Sequence, residues 1–155
     1  MPSDPETRVQ ELHLTLPPAP KPVAVYKTAV KHGNLLFVSG HGPLKADKTQ
    51  ITGRVGKDMT LEQGKEAARQ VGLAILATVK DTLGSLDKVK RLLKTYGMVN
   101  CTDDFVDQPK VINGFSELMK DVFGEDKGVG ARSAVGHNSL PGNITVKIEC
   151  IFEVE

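Results

Sequence analysis

The strongest structural signal in the 155-residue chain is the run Gly130-Ala131-Arg132-Ser133-Ala134-Val135, followed by Leu140-Pro141 and by Val146-Lys147-Ile148-Glu149. Its two ends predict strands joined by a turn at the Leu-Pro step, and side chains alternate between the two faces of a strand. If the strands pair as a hairpin, Arg132, Ala134 and Gly136 share one face, and Lys147 and Glu149 share one face of the partner strand. The apolar residues between 144 and 148 would then pack on helices, so the charged side chains are expected to point away from the core.

Arg132 is the residue of this patch with the clearest chemistry. A guanidinium held on a scaffold suits capture of a small carboxylate, because it offers two parallel N–H donors. From the residues alone, a surface ion pair between Arg132 and Glu149 is at least as compatible with the pattern. Both interpretations stay open at this point.

Two amphipathic helices precede this run. The first begins at Thr60, where Gln63 completes a capping box, and ends at Gly84. The second carries an apolar stripe from Val111 to Val122 and is expected to end at Gly124. The remaining segments predict strands over 23–30, 35–39, 89–101, 131–136 and 144–154, the first two forming a hairpin that turns at Gly33-Asn34.

This order of elements predicts an α+β fold in which two helices pack on one face of a largely antiparallel or mixed sheet. The other face of the sheet would be uncovered. If it includes Tyr26, Phe37 or Phe152, it needs a partner, because large exposed apolar patches mark contact surfaces. We therefore expect a homo-oligomer.

The N-terminal 22 residues differ in composition from the rest of the chain. Four prolines between Pro17 and Pro22 predict an extended arm over residues 1–22, leading into a single domain over residues 23–155. The first ten residues lack the apolar core of a secretory signal, and no segment reaches the roughly 18 apolar residues of a membrane span. A cytoplasmic protein is expected.

Charge and cysteine content narrow the class of function. With 20 basic and 19 acidic residues the net charge is +1, so a nucleic-acid partner is not expected. Cys101 and Cys150 lie far apart without a CxxC partner, and each is interpreted as a small apolar residue on a strand. His13, His32 and His137 lack the spacing of a metal site, so no metal is expected. His41 is a candidate pocket-lining donor or base.

The arginine run resembles the signature of the Rid proteins, the YjgF-like reactive-intermediate deaminases that are also labelled L-PSP endoribonucleases. The shared pattern is Ala-Arg-Ser-x-Val, a Leu-Pro turn, and a final strand with V-x-I-E spacing. The resemblance extends over residues 23–155. Its other matches, in the family's order, are Tyr26, Asn34, Val38-Ser39-Gly40, the long first helix and Val111-Ile112-Asn113.

The resemblance implies a chorismate-mutase-like fold and a barrel-like homotrimer with three sites at the subunit clefts. It implies hydrolysis of 2-imino or enamine acids to 2-keto acids and ammonia, a C–N hydrolase reaction, without a metal or organic cofactor. In that scheme Arg132 binds the substrate carboxylate, and backbone groups of Ala134 lie near the reacting carbon. The other implied pocket positions are Tyr26, Ser39, Gly40 and Asn113.

The chain departs from the family pattern at two of these positions. Ala134 replaces a cysteine, and Lys147 replaces a glutamate that is thought to hold the attacking water. Glu149 is the candidate replacement carboxylate, although it lies about 7 Å further along the strand at ~3.3 Å per residue. The departure leaves two functions open: a deaminase that uses Arg132 and Glu149, or a non-catalytic trimer that binds small acids or partner proteins.

Overall fold

A five-stranded sheet with helices on one side makes up the protein, in a computed structural model that describes residues 3–155. The helices are α1 (Pro5–Glu11), α2 (Leu61–Leu83) and α3 (Gln108–Lys127). The strands are β1 (Ala29–His32), β2 (Leu35–His41), β3 (Val89–Asn100), β4 (Ala131–His137) and β5 (Val146–Val154). Short 3-10 turns lie at Leu86–Lys88 and Pro141–Asn143.

The strand order is β1-β2-β5-β3-β4, with β3 and β4 parallel and the other neighbours antiparallel. The sheet is therefore mixed, and the predicted α+β class is confirmed. The predicted hairpin is also confirmed, with Gly33 at a φ of +61° in the turn between β1 and β2. The first strand is shorter than predicted, because regular pairing begins only at Ala29.

The predicted pairing of the arginine strand with the C-terminal strand is wrong. β3 lies between them, so that Tyr96 is opposite both Ser133 of β4 and Glu149 of β5. The cause is the helical crossover through α3, which returns the chain parallel to β3 on one side. β5 then occupies the other side of β3.

This topology also reverses the predicted face of Arg132. Arg132 is opposite Thr95, which is only 2% exposed beneath the helices. Because directly opposed residues share a face, Arg132 lies on the helix face of the sheet. Lys147 and Glu149 lie on the open face, opposite Met98 and Tyr96. The expectation that all three charges share one face is wrong.

Helix α2 matches its sequence signals in detail. The capping box of Thr60 and Gln63 is formed in both directions, and Gly84 caps the C-terminus at a φ of +87°. The second predicted end is only partly correct. Gly124 bends α3 at a φ of +88°, but helical hydrogen bonding continues to Lys127.

The core lies between the sheet and the helices α2 and α3. Alternate residues of β5 from Val146 to Val154 are buried there, as the two-residue period of a strand requires. Phe152 is one of them, so it does not belong to the open face. Phe37 does lie on that face and is 43% exposed.

The prolines predicted an extended arm over residues 1–22, but part of that segment is helical. Residues 5–11 form α1, which is capped by Asp4 and begins at Pro5, a residue preorganised for a first helical position. Glu6 ties this helix to the domain by accepting from Lys80 Nζ at 2.9 Å and from the Leu86 N–H at 2.7 Å. Among the residues the structure describes, no helix has the length and apolar character needed to cross a bilayer.

Candidate functional site

Arg132 projects from β4 onto helix α3, where two neutral side chains hold it. Its Nη1 donates to Asn113 Oδ1 at 2.8 Å and to Ser116 Oγ at 3.1 Å. Asn113 and Ser116 lie three residues apart, which places them on one face of the helix. We call Arg132, Asn113 and Ser116 the arginine cluster.

The arginine cluster contains no anion of the protein itself. Within residues 3–155, no carboxylate lies within 4.0 Å of the Arg132 guanidinium. The alternative of an ion pair with Glu149 is therefore wrong. Asn113 and Ser116 fix the orientation of the guanidinium without neutralising its charge, which leaves it able to bind an external carboxylate.

Ala134 continues the same strand face, two residues beyond Arg132. It lies opposite Gly97 and packs partly buried against the core. Because β4 ends the strand order, one side of its backbone has no partner strand within the described residues. Backbone donors and acceptors of this edge are therefore available beside the arginine cluster.

Ser39, Gly40 and Lys147 form a second group of predicted site residues, at an irregularity in β2. The pairing of β2 with β5 shifts between Val38 and His41, which is the signature of a β-bulge. The Ser39 hydroxyl donates to the Lys27 carbonyl at 2.5 Å. A Cβ at position 40 would overlap the Lys147 Cε, so the lysine stem crosses directly over Gly40.

Glu149 lies beside this group on the open face. It is exposed and borders a cavity of about 500 Å³ together with Ser39, Tyr96 and Lys94. Phe37 and other apolar residues form the rest of the wall. We call Ser39, Gly40, Lys147 and Glu149 the open-face cluster.

Tyr26 lies outside the strands, in the segment before β1. It is 44% exposed and lines a cavity of about 140 Å³ with Gly40 and His41. Two of the predicted pocket positions, Tyr26 and Gly40, thus line the same cavity.

His41 lies behind the bulge and is only 5% exposed. Its Nδ1 is 2.6 Å from the Ser39 carbonyl oxygen, which can only accept, so Nδ1 carries the proton. Its Nε2 is 2.7 Å from Thr78 Oγ1 and accepts from that hydroxyl. Burial lowers the pKa of His41, while the hydrogen bond to Ser39 opposes that shift. With both nitrogens engaged, the ring holds the bulge in place and is not free to act as a base.

Sequence reasoning missed three residues: Ser116 of the arginine cluster, and Tyr96 and Lys94 at the cavity beside Glu149. Ser116 was recoverable, because it follows Asn113 by three residues on a predicted helix. Tyr96 and Lys94 become neighbours of Glu149 only through the pairing of β3 with β5, which no local pattern predicts.

The two clusters lie on opposite faces of the sheet in one protomer. Arg132 and Asn113 are on the helix side, and Lys147 and Glu149 are on the open side. The sheet separates them, so a single protomer does not bring all predicted site residues together. Among residues 3–155, no three His, Cys, Asp or Glu side chains are arranged to hold a metal ion.

Comparison with known proteins places the chain beside one group of relatives. A family model described as "YjgF/chorismate_mutase-like, putative endoribonuclease" matches residues 6–152. Protein TCP17 of Trypanosoma cruzi is 37% identical over 146 residues, covering 94% of this chain and 91% of that protein. A RutC family protein of Pyrococcus abyssi is 32% identical over 133 residues, covering 86% of this chain and 89% of that protein.

A solved structure shows the same architecture. The protein Atu1372 of Agrobacterium tumefaciens, whose function is unknown, superposes with a TM-score of 0.89 at 41% sequence identity. The match covers 97% of this chain and 92% of that one.

Proposed function

The chain belongs to the YjgF/chorismate-mutase-like family, as its resemblance to the Rid proteins predicted, and we propose that it hydrolyses 2-imino or enamine acids to 2-keto acids and ammonia. The observation that carries this proposal is the arginine cluster. Arg132 is oriented by Asn113 and Ser116 and has no protein counter-ion within the described chain. A cation fixed in this way complements the carboxylate that such substrates share.

We propose further that each complete site forms between two copies of the chain, in a homotrimer. The arginine cluster lies near the edge strand β4, whereas the open-face cluster lies on the opposite side of the sheet. Docking the β4 edge of one protomer against the open face of a neighbour would bring the two clusters into one cleft. The exposed Phe37 on that face supports such a contact.

In the proposed reaction, Arg132 binds the substrate carboxylate and backbone groups of Ala134 orient the imine. Water adds through its oxygen to the imine carbon and gives up a proton, and the nitrogen takes one up. The resulting carbinolamine loses ammonia as the C=O bond forms. Glu149 of the neighbouring copy is the carboxylate assigned to receive the water proton, and Ser39 and Tyr26 complete the pocket. Because an imine carbon is already electrophilic, orientation of the two reactants is the main requirement.

The direct test is an assay that generates 2-iminobutanoate in situ and follows its conversion to the keto acid. We expect the wild type to exceed buffer hydrolysis, and Arg132→Ala to lower kcat/KM by roughly 100-fold or more, as loss of an anchoring group does. Arg91→Ala is the matched control, since Arg91 forms only a surface ion pair with Asp126. A wild-type rate equal to that of buffer would contradict the deaminase proposal.

A second candidate is a trimer that binds small acids without turning them over. The observation that favours it is Lys147, a cation where the related deaminases carry a glutamate. Calorimetric binding of 2-ketobutyrate that is lost in Arg132→Ala, together with no rate above buffer, would support this candidate. Equal binding by both proteins would contradict a carboxylate site at Arg132.

A further inference from the structure

We propose that the acid bound at this site carries a second carboxylate in its side chain, and that Lys147 is the residue that selects it. This inference rests on the proposed carboxylate site at Arg132 and on its assembly between two copies. It names a substrate class, the short 2-imino or 2-keto dicarboxylic acids.

The first observation is the position of Lys147. Its stem lies across Gly40, in the space that a side chain at position 40 would occupy. Gly40 follows Ser39, which borders the open-face cavity, and it shares the smaller cavity with Tyr26. The stem of Lys147 is therefore held against Gly40, one of the predicted substrate-binding positions.

The second observation is the lack of a counter-ion. Lys147 is partly buried, yet none of the ion pairs found within residues 3–155 includes it. Glu149, on the same strand face, does not approach it within 4.0 Å either. With its stem packed on Gly40, the Lys147 ammonium has no anion of the protein beside it and is available to an anion that a ligand supplies.

The third observation is that Arg132, although exposed, also has no anionic partner within the described residues. Its partners, Asn113 and Ser116, are both neutral. In the joined cleft Glu149 is assigned to the attacking water, so neither Arg132 nor Lys147 has a carboxylate of the protein bound to it. A monocarboxylic acid supplies one negative charge, whereas a dicarboxylic acid supplies one for each cation. Charge complementarity thus favours the dicarboxylic acid.

The inference is tested by calorimetry with stable keto acids in place of the imines. The probes are oxaloacetate and 2-oxoglutarate as diacids and 2-ketobutyrate as the monoacid, on the full-length protein at low salt. We expect the wild type to bind at least one diacid about tenfold or more tightly than the monoacid. Lys147→Met, which keeps the stem over Gly40, should weaken binding of the diacid about tenfold and affect the monoacid less, so that most of the preference is lost.

Three further variants test whether the preference for the diacid depends on Lys147 and whether binding depends on Arg132. Lys57→Met, at an exposed lysine in the loop before α2, should leave both affinities unchanged. Lys147→Glu should remove the preference for the diacid, because the second carboxylate then meets a like charge. Arg132→Ala should abolish binding of both classes.

The outcomes separate the inference from the proposed function. Equal affinity for both classes in the wild type, with no effect of Lys147→Met, overturns the role of Lys147 and leaves the carboxylate site intact. Failure of the wild type to bind either class overturns both. A circular dichroism melt of each variant confirms that any loss of binding comes from a folded protein.

Discussion

At the scale of single residues, His41 shows how a buried ring fixes the geometry of an exposed cluster. It donates to the Ser39 carbonyl and accepts from Thr78 on α2, so it connects the β2 bulge to the helix behind it. As a neutral ring, His41 makes both bonds in the Nδ1–H tautomer. A proton on Nε2 would turn the Thr78 hydroxyl from donor to acceptor and would place a positive charge where burial opposes it.

The stability of the protein should therefore depend on pH through His41. Its pKa in the folded state is below the ordinary value of 6.5, so the unfolded chain binds the extra proton first as pH falls. The free energy of unfolding should decrease as pH falls from 6.5 towards the folded-state pKa, by up to about 1.4 kcal/mol per pH unit. Urea unfolding followed by circular dichroism between about pH 5 and 8 measures this slope.

His41→Gln removes the titrating group while keeping a polar side chain. We expect it to cost about 1–3 kcal/mol above pH 7, because buried hydrogen bonds are lost, and we expect the difference from wild type to shrink towards pH 5. His32→Gln, at an exposed histidine, is the control. A difference that stays constant across the range would contradict this assignment.

At the scale of elements, the contact between α2 and α3 depends on Gly114. A Cβ at this position would overlap the carbonyl oxygen of Lys65 and approach the backbone nitrogen of Arg69 at 3.2 Å. The helices thus meet backbone to backbone at a point where a side chain does not fit. Gly114 also adjoins Asn113, so the same contact sets the position of the arginine cluster.

Gly114→Ala should destabilise the protein although alanine favours a helix. The gain in helix propensity is about 1 kcal/mol, whereas the overlap with rigid backbone should give a net loss of about 1–3 kcal/mol. Glu117→Ala, at an exposed position of the same helix, should stay within about 0.5 kcal/mol because its pair with Lys65 is at the surface. Chemical unfolding of both variants distinguishes the two, and a stabilised Gly114→Ala would contradict the packing argument.

The elements themselves were largely predictable, whereas their partners were not. Thr60, Gln63 and Gly84 act on neighbouring residues, so the limits of α2 could be predicted from the sequence alone. The separation of β4 from β5 by β3 depends on contacts between distant segments. A short turn such as the one at 140–143 favours a hairpin locally, and the α3 crossover overrides it.

At the scale of the whole molecule, Glu6 joins the N-terminal helix to the domain. Burial tends to raise the pKa of its carboxyl, but the bonds from Lys80 and the Leu86 N–H outweigh it and lower the pKa overall. Because the folded-state pKa is lowered, the carboxylate contributes stability above its ordinary pKa of 4.5 and loses it as pH falls.

Glu6→Gln should therefore reduce the free energy of unfolding at neutral pH by about 1 kcal/mol, since it replaces a charge-assisted contact that is partly exposed. The difference from wild type should shrink as pH falls below 4.5 and vanish once the carboxyl of the folded wild type is itself protonated. Glu66→Gln, on an exposed face of α2, is the control. If Glu6→Gln lowered the free energy of unfolding equally at neutral and acidic pH, the packing of the side chain and not its charge would hold α1 on the domain.

For the candidate site, one contact between predicted residues is present in the structure, whereas the expected arrangement is not. Arg132 and Asn113 were both expected from the resemblance, and they do contact one another. Lys147 and Glu149 were expected on the face of Arg132, and they lie on the other. Which face a strand residue occupies depends on register, and one residue of shift inverts it.

The position of Asn113 and Ser116 on α3 has a consequence for motion. Their neighbours Ile112 and Phe115 are completely buried, so the helix cannot open locally at this point without exposing the core. Segments of that kind exchange their amide hydrogens only through opening events close to global unfolding. The contacts that hold Arg132 are thus expected to persist for as long as the native state, whereas the segment around the exposed Tyr26 lacks this constraint.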